Sequence, residues 1–272
     1  MAFERELEVA LEAADRAGSA ILALYKDFER IPNAPASITT QADRDSQEII
    51  LQHIHTIFPT DSLCAEEKTP TLEGKATTGS RVWIIDPIDG TRGFAQKNGE
   101  FSVMIAFVND GDVVVGVVLE PVLARTTFAV RGMGCTVRDK TGTRDCHVTT
   151  VPTLDQATLV QSRSRHDRGP TGPVRLLKPG KVRETYSAGI KLADVARGDA
   201  DLYVISSGTF RDWDLCAGHI LVEEAGGRMT DIVGSPLQYG LEGHIQNRGL
   251  VATNGLLHRD AITGMARRTV ED

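Results

Sequence analysis

The stretch Asp86-Pro87-Ile88-Asp89-Gly90-Thr91 brings two carboxylates and a hydroxyl together directly after the apolar run Val82-Trp83-Ile84-Ile85. Pro87 fixes its own backbone angle and has no N–H to give to a sheet, so the strand is expected to stop there. Gly90 tolerates conformations closed to other residues and lets the chain approach a ligand closely. If a helix starts at this point, the amides of Gly90 and Thr91 can meet phosphate oxygens. Three more regions add acids: Glu66 and Glu67 after the stretch Phe58–Leu63, Asp214 at the start of a predicted helix, and Asp43. A carboxylate suits the positive end of a helix dipole. Magnesium favours a few carboxylates with water and phosphate in its other positions, and Glu66, Asp86, Asp89 and Asp214 fit that demand. No histidine or cysteine stands at zinc spacing, so an oxygen-loving ion is favoured. Such ions generate a nucleophilic water near neutral pH and stabilise a leaving oxygen. Phosphoryl transfer otherwise needs mainly positioning and charge neutralisation. No cysteine, histidine or aspartate stands in a covalent-catalysis motif, which leaves direct attack by water.

Taken singly, each residue also has a plain reading. Asp89-Gly90 is a common turn, and Glu66-Glu67-Lys68 reads equally as a solvated patch. Asp214 serves as an ordinary first-turn aspartate, and Asp43 as the capping-box partner of Thr40.

The elements that must hold these groups follow from periodicity. Residues 3–28 repeat apolar side chains at three- and four-residue spacing, from Phe3 and Leu7 through Ile21 and Phe28, and predict a helix. A second helix is predicted from Gln41 to Phe58, capped by Thr40 and Asp43. From Arg81 the pattern becomes short β-branched runs, Arg81–Asp86, Phe101–Val108, Asp112–Glu120 and Arg125–Val130, joined by turns such as Asn109-Asp110-Gly111, as in an antiparallel meander. Beyond Pro152 strands are expected at Thr158–Gln161, Asp201–Ile205, Arg228–Asp231 and Gly249–Thr253, with helices at Ile190–Arg197 and Asp214–Ala225. The shift near residue 150 divides a helix-plus-meander half, 1–150, carrying most of the acids, from an α/β half, 151–272, carrying Asp214 and substrate contacts.

At 272 residues, with 41% hydrophobic and 25% charged side chains, the chain buries a core without disulfides or structural metal. Thirty basic against 37 acidic residues leave a net charge of −7, which argues against binding a nucleic-acid polymer. A bound cation still admits small anionic substrates. The four cysteines are scattered, Met1–Ala10 has no apolar signal core, and no run suits a membrane span. A reduced cytoplasm is the expected compartment.

Together, Ala65-Glu66-Glu67, Trp83 to Thr91, Trp213-Asp214 with Ala217-Gly218, and Glu224-Ala225-Gly226-Gly227 resemble the inositol monophosphatase superfamily in order and spacing over nearly the whole chain. The resemblance implies an α/β (α+β) layered αβαβα sandwich, dependence on two or three magnesium ions, a homodimer and sensitivity to lithium. It implies that Glu66, Asp86 and the Ile88 carbonyl hold one ion, and that Asp86, Asp89 and Asp214 hold a second. It implies too that Thr91 and Asp43 orient the attacking water, the hydroxyl passing its proton towards the aspartate, with Glu67 in support.

Thr91-Arg92-Gly93-Phe94, Asn98-Gly99-Glu100-Phe101, Ser162-Arg163-Ser164 and Ser187-Ala188-Gly189-Ile190-Lys191 resemble the 3′(2′),5′-bisphosphate nucleotidase branch. On that resemblance Gly90, Ser162 and Gly189 join the substrate contacts. Lys191, Arg165 or Arg211 would meet a second phosphate, and His166 or Arg165 would stack on a base. The plain readings are a solvated basic loop at Arg163, Arg165, Arg168 and Arg175, an exposed helix lysine at Lys191 and a surface histidine at His166. Two departures from the branch are visible: Pro35–Thr39 lacks the lysine often found there, and Arg165 stands where a histidine is usual. Three functions compete: release of the 3′-phosphate of adenosine 3′,5′-bisphosphate to give AMP, hydrolysis of inositol 1-phosphate or another small polyol or sugar phosphate, and non-catalytic binding of metal or phosphate.

Overall fold

A computed structural model of the chain describes residues 2–35, 37–163, 169–206 and 209–266. The predicted first helix is α1, Glu4–Asp27, which buries Val9, Ala10, Ala13, Ala14, Ala17 and Ile21 on one face. The second is α2, Gln41–Ile57, whose capping box between Thr40 and Asp43 is formed as expected. Both pack on a seven-stranded sheet: β1 (Ser62–Ala65), β2 (Arg81–Asp89), β3 (Ser102–Asn109), β4 (Asp112–Glu120), β5 (Arg125–Val130), β6 (Cys135–Asp139) and β7 (Gly142–Cys146), ordered as in the chain. The meander is antiparallel except at its edge, where β1 runs parallel to β2.

Alternation along β2 builds two cores at once. Trp83 and Ile85 face α1 and α2, whereas Val82 and Ile84 face the other way. Trp83 is fully buried and gives its indole N–H to Asp61 Oδ2 at 3.0 Å, which satisfies its one polar atom.

On the far face lie α5 (Ala188–Ala196) and α6 (Asp212–Glu224). Behind them is a five-stranded sheet containing β8 (Thr158–Ser162), β9 (Lys181–Thr185), β10 (Leu202–Ile205), β12 (Arg228–Thr230) and β14 (Leu250–Thr253), in the order β12-β14-β10-β8-β9. Its outer face packs on α4 (Gly172–Leu177) and α7 (His258–Ala266). Five layers result, αβαβα, with α5 and α6 buried between sheets and therefore apolar nearly all round. Gly116 of β4 and Gly218 of α6 allow this close approach: a Cβ on Gly116 would meet the Ala217 carbonyl at 2.5 Å, and one on Gly218 the Leu192 side chain at 2.3 Å.

One strand end differs from expectation. β2 does not stop at Pro87; pairing resumes at Asp89 opposite Ser102 after a register shift between Asp86 and Asp89. The missing N–H of Pro87 is tolerated because the proline sits in this irregularity. A two-stranded ribbon, β11 (Phe210–Arg211) with β13 (Ile245–Gln246), completes the described structure. All four cysteines are buried and free, and among the described residues no helix is long and apolar enough to cross a membrane.

Candidate active site

Glu66, Asp86, Ile88, Asp89, Gly90, Thr91 and Asp214 line one cavity of about 440 Å³, with Arg92 and Tyr186 on its wall. Four elements deliver them. β1 ends just before Glu66, the irregularity in β2 aims Asp86 and Asp89, and Gly90, at φ 87°, turns the chain into the short helix α3 (Thr91–Ala95). Helix α6 starts at Asp212, which puts Asp214 in its first turn, where its Oδ2 accepts the Arg211 amide at 2.6 Å. Gly90 has no room for a larger residue: a Cβ would lie 2.7 Å from the Glu100 carbonyl and 3.1 Å from the Ser187 amide.

Among the cavity's four carboxylates Asp89 has the most hydrogen-bond donors. Its Oδ2 accepts the Gly189 amide at 2.6 Å, the Ser187 hydroxyl, and more distantly the Ser102 hydroxyl at 3.5 Å. Ser187 caps α5 and also accepts the Ile190 amide at 2.9 Å. Asp86 is only 2% exposed, and its Oδ1 is buried without a hydrogen-bond partner. Burial, then the charges of Glu66, Asp89 and Asp214, pushes the Asp86 carboxyl well above its usual range. Burial, then Asp89, pushes Asp214 up to about 7 against the pull of the Arg211 amide. Glu66 remains exposed along the cavity wall, yet crowding by protein and then by Asp214, Glu67, Asp43 and Asp89 pushes it up to about 8.

The Thr91 hydroxyl lies 2.9 Å from Asp43 Oδ1 and 3.0 Å from the Ile88 carbonyl, so its single proton is shared between two acceptors. Asp43 is fully buried, and its Oδ2 takes the Thr40 amide and hydroxyl at 2.8 and 2.6 Å. Burial holds its carboxyl above the usual range despite these donors. Glu67 points elsewhere: it accepts the Thr39 hydroxyl at 2.7 Å, and Gln47 clasps its backbone at both ends.

The expected substrate contacts scatter. Gly189 serves Asp89, as above. Lys191 is not an exposed helix lysine; it is 1% exposed, and its Nζ donates to the carbonyls of Thr185 and Tyr186 at 3.2 and 3.0 Å. Burial pulls it down to about 8. Arg211 turns to the Gly243 carbonyl at 2.8 Å. Ser162 lines a separate cavity of about 280 Å³, together with Arg163. Arg165 and His166, with the Ser164 and Arg168 of the same loop, lie outside the described residues. Sequence reasoning missed Ser102, Gln47 and Tyr186, and quoted Ser187 and Arg92 only within motifs, without giving either a role. Ser187 carried a readable signal, a serine just before an apolar helical run. Ser102 carried none.

Among the described residues, no three His, Cys, Asp or Glu side chains already converge closely enough to grip a metal ion. The donors nevertheless fit one. Four carboxylates face one cavity, Asp86 keeps an orphaned buried oxygen, and three of the four are raised by burial and one another's charge. A hard divalent cation supplies the positive charge that this wall lacks.

Comparison with known proteins gives the same direction. The chain is 33% identical over 254 residues to a 3′(2′),5′-bisphosphate nucleotidase, CysQ, of Salmonella typhimurium, covering 91% of this chain and 99% of the relative. It is 30% identical over 243 residues to a fructose-1,6-bisphosphatase/inositol-1-monophosphatase of Thermotoga maritima, covering 86% and 84%. Its structure superposes on an inositol monophosphatase of Thermotoga maritima with a TM-score of 0.81 at 26% identity, covering 98% of this chain and 99% of the other. The family model described as "Inositol monophosphatase family" matches residues 3–270. The chain belongs to the inositol monophosphatase family and is one of its phosphatases.

Proposed function

We propose that this protein is a magnesium-dependent phosphate-monoester hydrolase that releases the 3′-phosphate of adenosine 3′,5′-bisphosphate to give AMP. The observation that carries the hydrolase reading is the carboxylate cavity with the Thr91–Asp43 contact at its floor. Glu66, Asp86, Asp89, Asp214 and the Ile88 carbonyl would hold two or three magnesium ions. When bound, the ions lower the pKa of water and offset charge on phosphate and leaving oxygen. The protein's own part is orientation and proton handling. With its proton directed to Asp43, the Thr91 hydroxyl offers a lone pair to a water and fixes its line of approach. Asp43, held above the usual carboxylate range, is the better proton acceptor for it. The water oxygen bonds to phosphorus as its proton passes by way of Thr91 towards Asp43, the P–O bond to the sugar oxygen breaks, and that oxygen takes a proton from solvent, to which Asp43 returns one. Glu67 supports through the Thr39 and Gln47 contacts beside Asp43.

The choice of nucleotide rests on the segments around Thr91–Phe94, Ser162–Arg163 and Ser187–Lys191 and on the CysQ relative. A second reading, inositol 1-phosphate or a sugar phosphate as substrate, is favoured by the Thermotoga relative's name and uses the same carboxylates. A non-catalytic binder has no need of the Thr91–Asp43 contact. We place the protein in the cytoplasm as a homodimer inhibited by lithium, with residues 1–150 supplying most of the metal ligands and residues 151–272 supplying Asp214 and substrate contacts. The test compares kcat/KM with magnesium on adenosine 3′,5′-bisphosphate, inositol 1-phosphate, histidinol phosphate and fructose 1,6-bisphosphate. Marked preference for the first is expected; equal, weak turnover of all four removes the nucleotide assignment.

A further inference from the structure

The cavity is acidic on one wall and basic at one point. Among the described residues Arg92, the residue after Thr91, is the only lysine or arginine in its lining. Its Nε donates to the Ala34 carbonyl at 3.1 Å, which anchors the stem of the guanidinium. Its two Nη atoms make no hydrogen bond or ion pair among the described residues, whereas the other candidate cations turn to partners outside the carboxylate wall. Arg163 is paired with Glu100, Lys191 is sunk onto backbone carbonyls, and Arg211 serves the Gly243 carbonyl.

Arg92 is also given a platform. Its guanidinium carbon stands 5.1 Å from the centroid of the Tyr186 ring, on the same cavity wall. The ring is fixed twice: the Tyr186 hydroxyl donates to Gln96 Oε1 at 3.1 Å, and Lys191 Nζ holds the Tyr186 carbonyl at 3.0 Å. A planar fork with free outer N–H groups, fixed at its stem and seated on an aromatic face, matches two oxygens of a phosphate. A second phosphate lying beside the carboxylate wall, away from the group that the metal ions would neutralise, gains from such a cation.

We infer that Arg92, seated on Tyr186, receives a phosphate of the substrate other than the one being hydrolysed, and so sets the preference for doubly phosphorylated substrates. The inference rests on the phosphatase reading above. Lys191, placed among the expected phosphate contacts, acts instead as a positioning residue that holds the Tyr186 backbone under the guanidinium.

The test measures kcat/KM with magnesium for two pairs of substrates, adenosine 3′,5′-bisphosphate with 3′-AMP and fructose 1,6-bisphosphate with fructose 1-phosphate. The ratio within each pair isolates the contribution of the second phosphate. Arg92→Ala is expected to lower the ratio by about tenfold or more, the size of a lost charge-assisted contact. Arg92→Lys should recover part of it, and Tyr186→Leu should lower it by about threefold. Because removing the Ala34 contact could also weaken folding, thermal unfolding is followed for each variant, and Arg92→Lys with Tyr186→Leu carry the test if Arg92→Ala does not fold. A wild-type preference for the adenosine bisphosphate that survives undiminished in every folded variant overturns the Arg92 assignment and leaves the nucleotidase reading intact. Loss of preference only on the fructose pair, with no turnover of the adenosine pair, supports Arg92 and overturns the nucleotidase reading. A wild-type enzyme indifferent to the second phosphate in both pairs overturns the inference.

Discussion

The acids of the cavity work against the fold until a cation joins them. The Asp214 carboxyl is held at about 7 in the folded chain against an ordinary 3.8, and Glu66 at about 8 against 4.5. A raised carboxyl binds its proton more tightly folded than unfolded, so stability of the metal-free protein falls as pH rises from about 4 through about 8. Below that window the penalty disappears. Magnesium binds the ionised forms and stabilises the fold by mass action, so its gain should be small near pH 5 and large near pH 8. Thermal unfolding with and without magnesium at both pH values checks this; equal gains at the two contradict it. At this scale much was legible. Asp86, Asp89, Glu66 and Asp214 stood out as acids beside apolar runs, and Thr40 with Asp43 showed their spacing. Arg92 was visible only as part of the run Thr91–Phe94, and Tyr186 not at all, because the pairing of an arginine with a distant tyrosine has no pattern until three-dimensional proximity supplies one.

Among the elements, the start of α5 matters most to the site. Ser187 caps the helix and donates to Asp89, while the Gly189 amide reaches the same carboxylate. Ser187→Ala should therefore cost about 1 kcal/mol of stability through the lost cap and shift magnesium activation to higher concentration. Urea unfolding and a magnesium titration of activity read the two effects; an unchanged magnesium requirement would mean that Ser187 serves the helix alone. Long amphipathic helices and the apolar strands β2 to β5 were readable because one face of each meets a core. The short strands β8, β10, β12 and β14 were readable too, but other elements, β1 and β7 among them, were not. Ser62–Ala65 is buried on all sides with too few residues for a period, and Gly142–Cys146 is mostly exposed, with no apolar alternation to mark it. The run of β2 past Pro87 was missed because a proline's missing N–H is harmless only when an irregularity already breaks the ladder.

In the whole molecule, two sheets share the layer formed by α5 and α6, and the cavity draws on both halves of the chain. Glu66, Asp86, Asp89 and Thr91 come from the first sheet and its connections, Asp214 and Tyr186 from the layer behind it. This convergence was legible only through three separated motifs agreeing, since nothing local in Trp213-Asp214 announces Asp89 as its neighbour. The substrate end was less legible, because its candidate cations proved to be spent on backbone carbonyls or lay outside the described residues. The account predicts that phosphate hydrolysis depends on this shared cavity and on the cation it holds. The most direct measurement is inorganic phosphate release from adenosine 3′,5′-bisphosphate by the wild type and by Asp89→Asn, each with magnesium and after chelation. The asparagine keeps an oxygen for the Ser187 and Gly189 donors but removes a charge facing the cation. Rapid release by the wild type with magnesium alone, with at least a hundredfold less from a folded Asp89→Asn, about the loss expected for a key electrostatic contact, is predicted. Release that survives chelation, or an Asp89→Asn protein as active as the wild type, would contradict the account.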